Sequence, residues 1–141
     1  MFEYSEDAAE LVTTLQRLAR AGEIPFVYDS AMSEGATVAV MRAHDVYDVL
    51  RAAETNGNNY GIGTEVIIAR LKQWDQSYGI TFSGIGFDWV SVKLKRVPGD
   101  VLGLAREVYE FCPDVVDQGV GDVAALAGEI EETHTIYLWW D

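Results

Sequence analysis

The sequence predicts an α+β fold: a ferredoxin-like sheet of split βαβ, βαββαβ order, with additional helices and an N-terminal helix-strand extension. Apolar residues recur at every second position in 80–85 and 88–95, which is typical of strands. They recur every three or four positions in 64–78 and 100–112, which is typical of amphipathic helices. After the extension the elements run β, α, α, β, β, α, α, β, which becomes βαββαβ without the two short helices. We expect the helices to cover one face of the sheet.

The N-terminal extension is predicted to begin with a helix over residues 6–21. Ser5 is a suitable N-cap, and the acidic residues after it complement the positive end of the helix dipole. Gly22 ends the helix. Strands at 24–28 and 37–42 follow, joined by a loop that contains serine and glycine.

The rest of the chain is divided by caps, glycines and prolines into alternating helices and strands. Its predicted elements are a short helix capped by Asp45, a loop at 55–63, a helix at 64–78 capped by Thr64 and ended by Gly79, strands at 80–85 and 88–95, a helix at 100–112 ended by Pro113, a loop at 117–122, a helix begun by Asp122, and a strand at 135–140.

The length and composition are those of one folded domain. The chain has 141 residues, of which 49% are hydrophobic, and we expect a single domain, 1–141, with 1–43 packed as an extension on a core of 44–141. No apolar run approaches the ~20 residues that span a bilayer. The N-terminus also lacks the basic and apolar regions of a signal peptide, so we expect a cytoplasmic protein without a membrane partner.

The charge is uneven along the chain. The formal net charge is −13, the last of ten basic residues is Arg106, and nine acidic residues follow it. Such an acidic field repels phosphate backbones, so we expect no nucleic-acid partner, and it favours a basic protein partner or a cation. Solubility alone is the alternative explanation of the charge.

The closing stretch HTIYLWWD places two adjacent tryptophans in a predicted strand. Because side chains alternate along a strand, Trp140 lies with the aliphatic residues on the face that we assign to the helices, and Trp139 points to the other face. That second face is expected to carry four aromatic side chains: Phe87, Trp89, Tyr137 and Trp139.

Two interpretations of the second face stay open. It can be covered by the N-terminal segment or by a second subunit, so that the terminal strand is part of the core; cover by a second subunit would make the protein a homodimer. Alternatively it is a partly open aromatic patch that binds a partner or ligand.

Several motifs together resemble an uncharacterised bacterial family of domains of unknown function. The stretches TNGNNYGIGTE, WDQSYG, GFDWV, YEFCPDVVDQGVG and YLWWD carry the resemblance, which covers roughly residues 44–141. Members of that family similarly end in Leu-Trp-Trp-Asp and carry a Cys-Pro-Asp segment upstream. The resemblance implies no activity; it implies only that certain residues act together: Asn59, Tyr60, Trp89, Cys112, Pro113, Asp114, Gln118, Gly119, Trp139, Trp140 and Asp141.

Cys112, the only cysteine, could be a thiol nucleophile with His134 or His44 as its base. However, it falls at the negative end of a predicted helix and has acidic neighbours, and such surroundings raise the pKa of a thiol. We therefore expect a buried, structural cysteine.

The stretch GIGTEV places two glycines before a helix N-terminus, where free N–H groups could hold an anion. It lacks the lysine of a P-loop, so Thr64 as an ordinary N-cap is the favoured interpretation. The one basic cluster, Lys93, Lys95 and Arg96, either protects an edge strand from aggregation or contacts an acidic partner.

A cluster of oxygen ligands is the remaining candidate. Asp114, Asp117 and Asp122, with Gln118, could surround Ca²⁺ or Mg²⁺, but their spacing is not that of an EF-hand. Asp122 is better explained as a helix cap and Asp114 as a turn former after Pro113. We accordingly predict no metal and no cofactor, and no catalytic residue is assigned.

Two functions follow. The preferred one is a non-enzymatic protein-interaction module, immunity-like or regulatory, with an acidic surface. The alternative is a small-molecule-binding protein or an enzyme, with a pocket where the Asn59-Tyr60 loop, the Cys112-Pro113-Asp114 loop and the C-terminal strand meet. The candidate binding residues are Asn59, Tyr60, Trp89, Asp114, Gln118, Trp139, Trp140 and Asp141.

Overall fold

The computed structural model describes residues 6–29, 37–42 and 45–140. Predicted features at Ser5, His44 and Asp141 lie outside these residues. The helices are α1 (Glu6–Leu18), α2 (Tyr47–Ala53), α3 (Thr64–Tyr78), α4 (Val101–Phe111) and α5 (Val123–Thr133). The strands are β1 (Glu23–Asp29), β2 (Thr37–Arg42), β3 (Ile80–Gly86), β4 (Trp89–Leu94) and β5 (Thr135–Trp139).

The five strands form one sheet in the order β2-β1-β3-β4-β5. The α+β class predicted from the sequence is confirmed, and β1 and β3 are the parallel pair among otherwise antiparallel neighbours. The strand order, however, differs from a ferredoxin-like sheet, in which the first strand of βαββαβ lies beside the third and fourth. Here β1, from the N-terminal extension, pairs with both β2 and β3 and keeps β2 at the edge.

Local signals explain where most elements begin and end. The carboxylate of Asp100 accepts a hydrogen bond from the Gly103 N–H, and that of Asp122 accepts one from the Ala125 N–H, so both residues cap the helices that follow them. Gly79 ends α3 with a φ of 68°, which glycine adopts without strain. The helix α1 ends at Leu18, earlier than predicted.

Two local predictions are wrong. The N-cap of α3 is Gly63, and the Thr64 hydroxyl instead donates a hydrogen bond to the Thr55 carbonyl at 2.8 Å, which joins α3 to the preceding loop. The stretch 117–122, predicted as a loop, belongs largely to a π-helical turn, Val115–Val120, whose backbone is distorted at Gly119.

One face of the sheet, here called the main face, is covered by α2 to α5. Its core joins side chains of these four helices to Val90 and Val92 of β4 and to Ile136 and Leu138 of β5. The predicted sharing of one face by α3 and α4 is confirmed by this cluster. Hydrophobic stabilisation grows with the apolar area that is buried, at about 25 cal/mol per Å². Because the main-face cluster is much larger than the cluster on the opposite face, it contributes most of this stabilisation.

The opposite face, here called the second face, is packed by α1. Val12 of α1 is 2% exposed and forms a small cluster with Trp89 of β4, and the Gln16 side-chain amide donates to the Phe82 carbonyl at 2.9 Å. Across the described residues, no helix combines the length and the hydropathy that crossing a membrane requires.

Candidate functional site

The three segments that were predicted to meet are in contact. The Tyr60 hydroxyl donates to Oδ1 of Asp114 at 2.5 Å, which links the 55–63 loop to the segment after α4. The Cys112 thiol donates to the carbonyl of Trp139 at 3.0 Å, which links that segment to β5. We call this end of the sheet the turn end: the 55–63 loop, the β3–β4 turn at 86–88 and the segment 112–120.

Three hydrogen bonds from two neighbouring segments fix the β3–β4 turn. The Thr55 hydroxyl donates to the Gly86 carbonyl at 2.6 Å, and the Asn56 N–H donates to the Phe87 carbonyl at 2.9 Å. The Trp140 N–H donates to the Asp88 carbonyl at 3.0 Å. All three carbonyls of the turn are therefore satisfied by neighbouring segments. Thr55 is fully buried, and no signal in the sequence pointed to it.

Asp114 lies in the interior of the turn end, with 2% of its surface exposed. Its Oδ1 accepts hydrogen bonds from Tyr60 and from the Gln118 amide, at 2.5 and 2.9 Å. A buried carboxylate needs such donors to offset the loss of hydration. The sequence predicted only a turn former at this position. Asp114 in addition connects the 55–63 loop to the π-helical turn.

Tyr60 presents its ring to solvent while its hydroxyl is engaged. The side chain is 44% exposed. The hydrogen bond to Asp114, followed by partial burial and the negative charge of the same carboxylate, raises the pKa of Tyr60 to about 12. The hydroxyl is thus a stable donor at neutral pH.

Cys112 is buried and its thiol is bonded to a backbone carbonyl. Burial, with the nearby charge of Asp114, raises the pKa of Cys112 to about 12. A thiol in this state is a poor nucleophile, which agrees with the predicted structural role. The candidate base His134 is the exposed C-cap of α5, with a φ of 55°.

The two closing tryptophans lie on opposite faces, as predicted. Trp140 is 3% exposed, stands edge-on to Phe111 of α4 at 5.9 Å, and packs against the main-face core. Gly57 of the loop sits on the Trp140 ring so closely that an added Cβ would lie 2.8 Å from its Cγ. Trp139 is half-buried and packs against the second-face cluster, while it also contacts the edge of the main-face core.

The second face is partly covered and partly open. Trp89 is 3% exposed and stacks on Tyr137, with ring centroids 5.6 Å apart, whereas Tyr137 and Trp139 are half-buried. The prediction that Phe87 joins this face is wrong. Phe87 falls in the β3–β4 turn, outside the alternation of either strand, and is 55% exposed.

The remaining candidates divide between structure and surface. Asn59 is exposed in a 3₁₀ turn, Asn58–Tyr60, and Gln118 is exposed beside Asp114. Asp117 accepts a hydrogen bond from the Tyr109 hydroxyl at 3.1 Å. The proposed aspartates are thus engaged separately, and the described residues contain no group of three or more His, Cys, Asp or Glu that could hold a metal ion.

A cleft of about 300 Å³ lies at the opposite end of the sheet, between α1, β1, α2 and β3. Most of its lining residues are apolar, among them Ile80 and Phe82, and Glu23 also lines it. None of the candidate residues predicted from the sequence lines it.

A family model with the description "Domain of unknown function (DUF4253)" matches residues 37–141. The chain belongs to this family. The DUF4253 match starts at the first residue of β2, somewhat earlier than the resemblance at 44–141 indicated, and it contains the whole turn end. The strand β1 lies before the match, yet it occupies the sheet position between β2 and β3. No curated protein and no solved structure matches the chain.

Proposed function

We propose that this DUF4253 protein is a non-enzymatic module that binds a basic protein partner. One observation carries the proposal: the outer layer formed by α4, the π-helical turn and α5 is rich in exposed carboxylates, and Arg106 is the only Lys or Arg in the sequence of these three elements. Seven of the nine acidic residues after Arg106 are exposed on this layer: Glu107, Glu110, Asp117, Asp122, Glu129, Glu131 and Glu132.

Among the described residues, these carboxylates take part in no ion pair, although Glu107, Asp117 and Asp122 accept hydrogen bonds from neutral groups. In the described part of the chain, the ion pairs of Arg42 and Arg51 involve Glu23, Asp48 and Glu65, and no ion pair involves the acidic layer. A negatively charged surface raises the association rate with a positively charged partner, and it disfavours binding to phosphate backbones. A basic protein therefore fits this surface better than a nucleic acid does.

The state of the two most reactive candidate side chains, Cys112 and Asp114, supports a non-enzymatic function. The Cys112 thiol is buried with a raised pKa, and the Asp114 carboxylate is 2% exposed and accepts two side-chain hydrogen bonds at its Oδ1. A nucleophile or general base needs access to its substrate, and burial removes that access from both groups.

The alternative function, a pocket at the turn end, has the contact of the three segments in its favour. Their junction, however, is filled by side chains, since Gly57 lies against the Trp140 ring. What reaches the surface is the Tyr60 ring, Gln118 and part of Trp139. This arrangement favours a surface contact over an enclosed pocket.

The test begins with proteins captured from the native host on the immobilised full chain and identified by mass spectrometry. The association rate of the purified partner is then measured for the wild type and for the double variant Glu129→Gln, Glu132→Gln on α5. The control is Glu10→Gln, Asp75→Asn, which removes two exposed charges outside the acidic layer and outside the turn end.

The proposal predicts that the α5 variant slows association by about threefold or more at low salt, and that the control changes it by less than about twofold. The association rate of the wild type should fall steeply with salt. Equal rates for the two variants, or capture of acidic proteins only, would contradict the proposal.

A further inference from the structure

Two large aromatic side chains stand exposed at the turn end. Phe87 is 55% exposed and Tyr60 is 44% exposed. Isolated exposed apolar residues are common on protein surfaces and need no explanation. These two differ because they come from segments that are bonded to each other, through the Asn56 N–H and the Phe87 carbonyl.

The backbone beneath both rings is fixed. Phe87 sits in a turn whose three carbonyls accept hydrogen bonds from Thr55, Asn56 and Trp140. Tyr60 is fixed at its far end by the bond from its hydroxyl to the buried Asp114. A rigid aromatic side chain loses little conformational entropy on binding, and for this reason such residues are frequent energetic anchors of interfaces.

The charge around these rings points to the chemistry of the partner. Asp88 is exposed next to Phe87, and Asp117 is exposed on the π-helical turn. That turn belongs both to the turn end and to the acidic layer, so the two surfaces are continuous. Arginine and lysine side chains bind aromatic rings through cation–π contacts and pair with carboxylates at the same time.

We propose that the turn end is the docking surface for the basic protein partner, with Phe87 and Tyr60 as its anchors. The proposal rests on the proposed function and adds where the partner binds. The acidic layer accelerates the encounter, and the two rings retain the partner once it is bound. Substitutions at the rings therefore change the dissociation rate, whereas substitutions in the acidic layer change the association rate.

The probe is a short peptide of alternating arginine and leucine, titrated into the isotope-labelled full chain and followed by amide chemical shifts. A peptide with glutamate in place of arginine is the control ligand. We expect shifts in residues 55–63, 86–88 and 112–120. Phe87→Ala should weaken binding by about tenfold. Leu18→Ala, at an exposed apolar residue of the opposite end, should weaken it by less than about twofold.

Each outcome decides between the two proposals. Shifts at the turn end that Phe87→Ala weakens support both. Shifts confined to α4 and α5, or unaffected by Phe87→Ala, overturn the docking surface and leave the acidic module in place. Equal binding of the glutamate peptide, or no shifts with either peptide, overturns both. Because Phe87 is exposed, its replacement leaves the core intact, and the amide spectrum of the variant verifies this directly.

Discussion

The two faces of the sheet are built in different ways. The main face is covered by four helices and buries aromatic and aliphatic side chains continuously from α2 to α5. The second face carries one small cluster, in which Val12 of α1 packs on Trp89, and its residues Tyr137 and Trp139 stay half-buried. Trp139, the last residue of β5, and Trp140, which follows it, thereby enter two different environments.

This difference shows how residues before the family match contribute to a domain. The main-face core lies largely within residues 37–141, whereas the helix on the second face comes from the preceding segment. That segment also supplies β1, which lies between two strands of the matched region. Residues outside the matched region thus cover part of the second face, and the sheet itself depends on the same residues.

The largest effect is expected from removing residues 1–36. This deletion takes away β1, which pairs along both of its edges, together with α1, so β2 loses the partner that joins it to the sheet. We expect the remaining residues to lose cooperative unfolding in denaturant, followed by circular dichroism and tryptophan fluorescence. A truncated chain that unfolds with the midpoint and slope of the full chain would show that β1 is dispensable.

The two tryptophans offer a direct comparison of the faces. Trp140→Ala empties a core site and is expected to lower the free energy of unfolding by about 3–5 kcal/mol. Trp139→Ala removes a half-buried ring and should lower it by about 1–2 kcal/mol. Chemical denaturation of both variants gives the two values. Similar losses would mean that the second face is as closed as the main face.

The rate at which a thiol reagent labels Cys112 measures how well the main-face side of the turn end excludes solvent. Because its pKa is about 12 and its side chain is fully buried, we expect native labelling by a thiol reagent to be at least about a hundredfold slower than in denaturant. The native rate should keep rising as the pH passes the ordinary thiol pKa, since the thiolate forms only near the raised value. Native labelling at neutral pH as fast as that of free cysteine would revive the nucleophile hypothesis.

An effect smaller than that of Trp140→Ala is expected at the contact between the loop and the Trp140 ring. Gly57→Ala places a methyl group within 2.9 Å of two ring atoms, although the φ of −119° suits any residue. We expect a loss of about 1–3 kcal/mol from overpacking. Gly99→Ala is the matched control, because nothing lies within 4 Å of its Cβ position. Equal stabilities would indicate that the loop moves away from the ring at no cost.

The sequence predicted the elements well where the signal is local. Asp100 and Asp122 are caps because a carboxylate accepts the free N–H groups of the first helical turn, and Gly79 is a stop because its φ is positive. The opposite faces of Trp139 and Trp140 follow from strand alternation. Each of these inferences needs only a few neighbouring residues.

The strand order could not be predicted in this way. The period of apolar residues shows that a segment is a strand but not which neighbours it pairs with. The parallel pairing of β1 with β3 joins segments that are distant in sequence, so it leaves no local mark. The same limit applies to Asp114, whose burial depends on Tyr60 from another loop, and to Phe87, whose position depends on where the turn begins.

The position of β1 also shapes the folding reaction. The β1–β2 hairpin is a local unit that can form early, but its attachment to β3 closes a loop that contains β2, α2 and α3. Closing a long loop costs conformational entropy before the new contacts offset it, so this step is expected to limit the folding rate. Until it is complete, the hairpin keeps an unpaired strand edge, and in concentrated solution the β3 strand of another copy can take the place of its own.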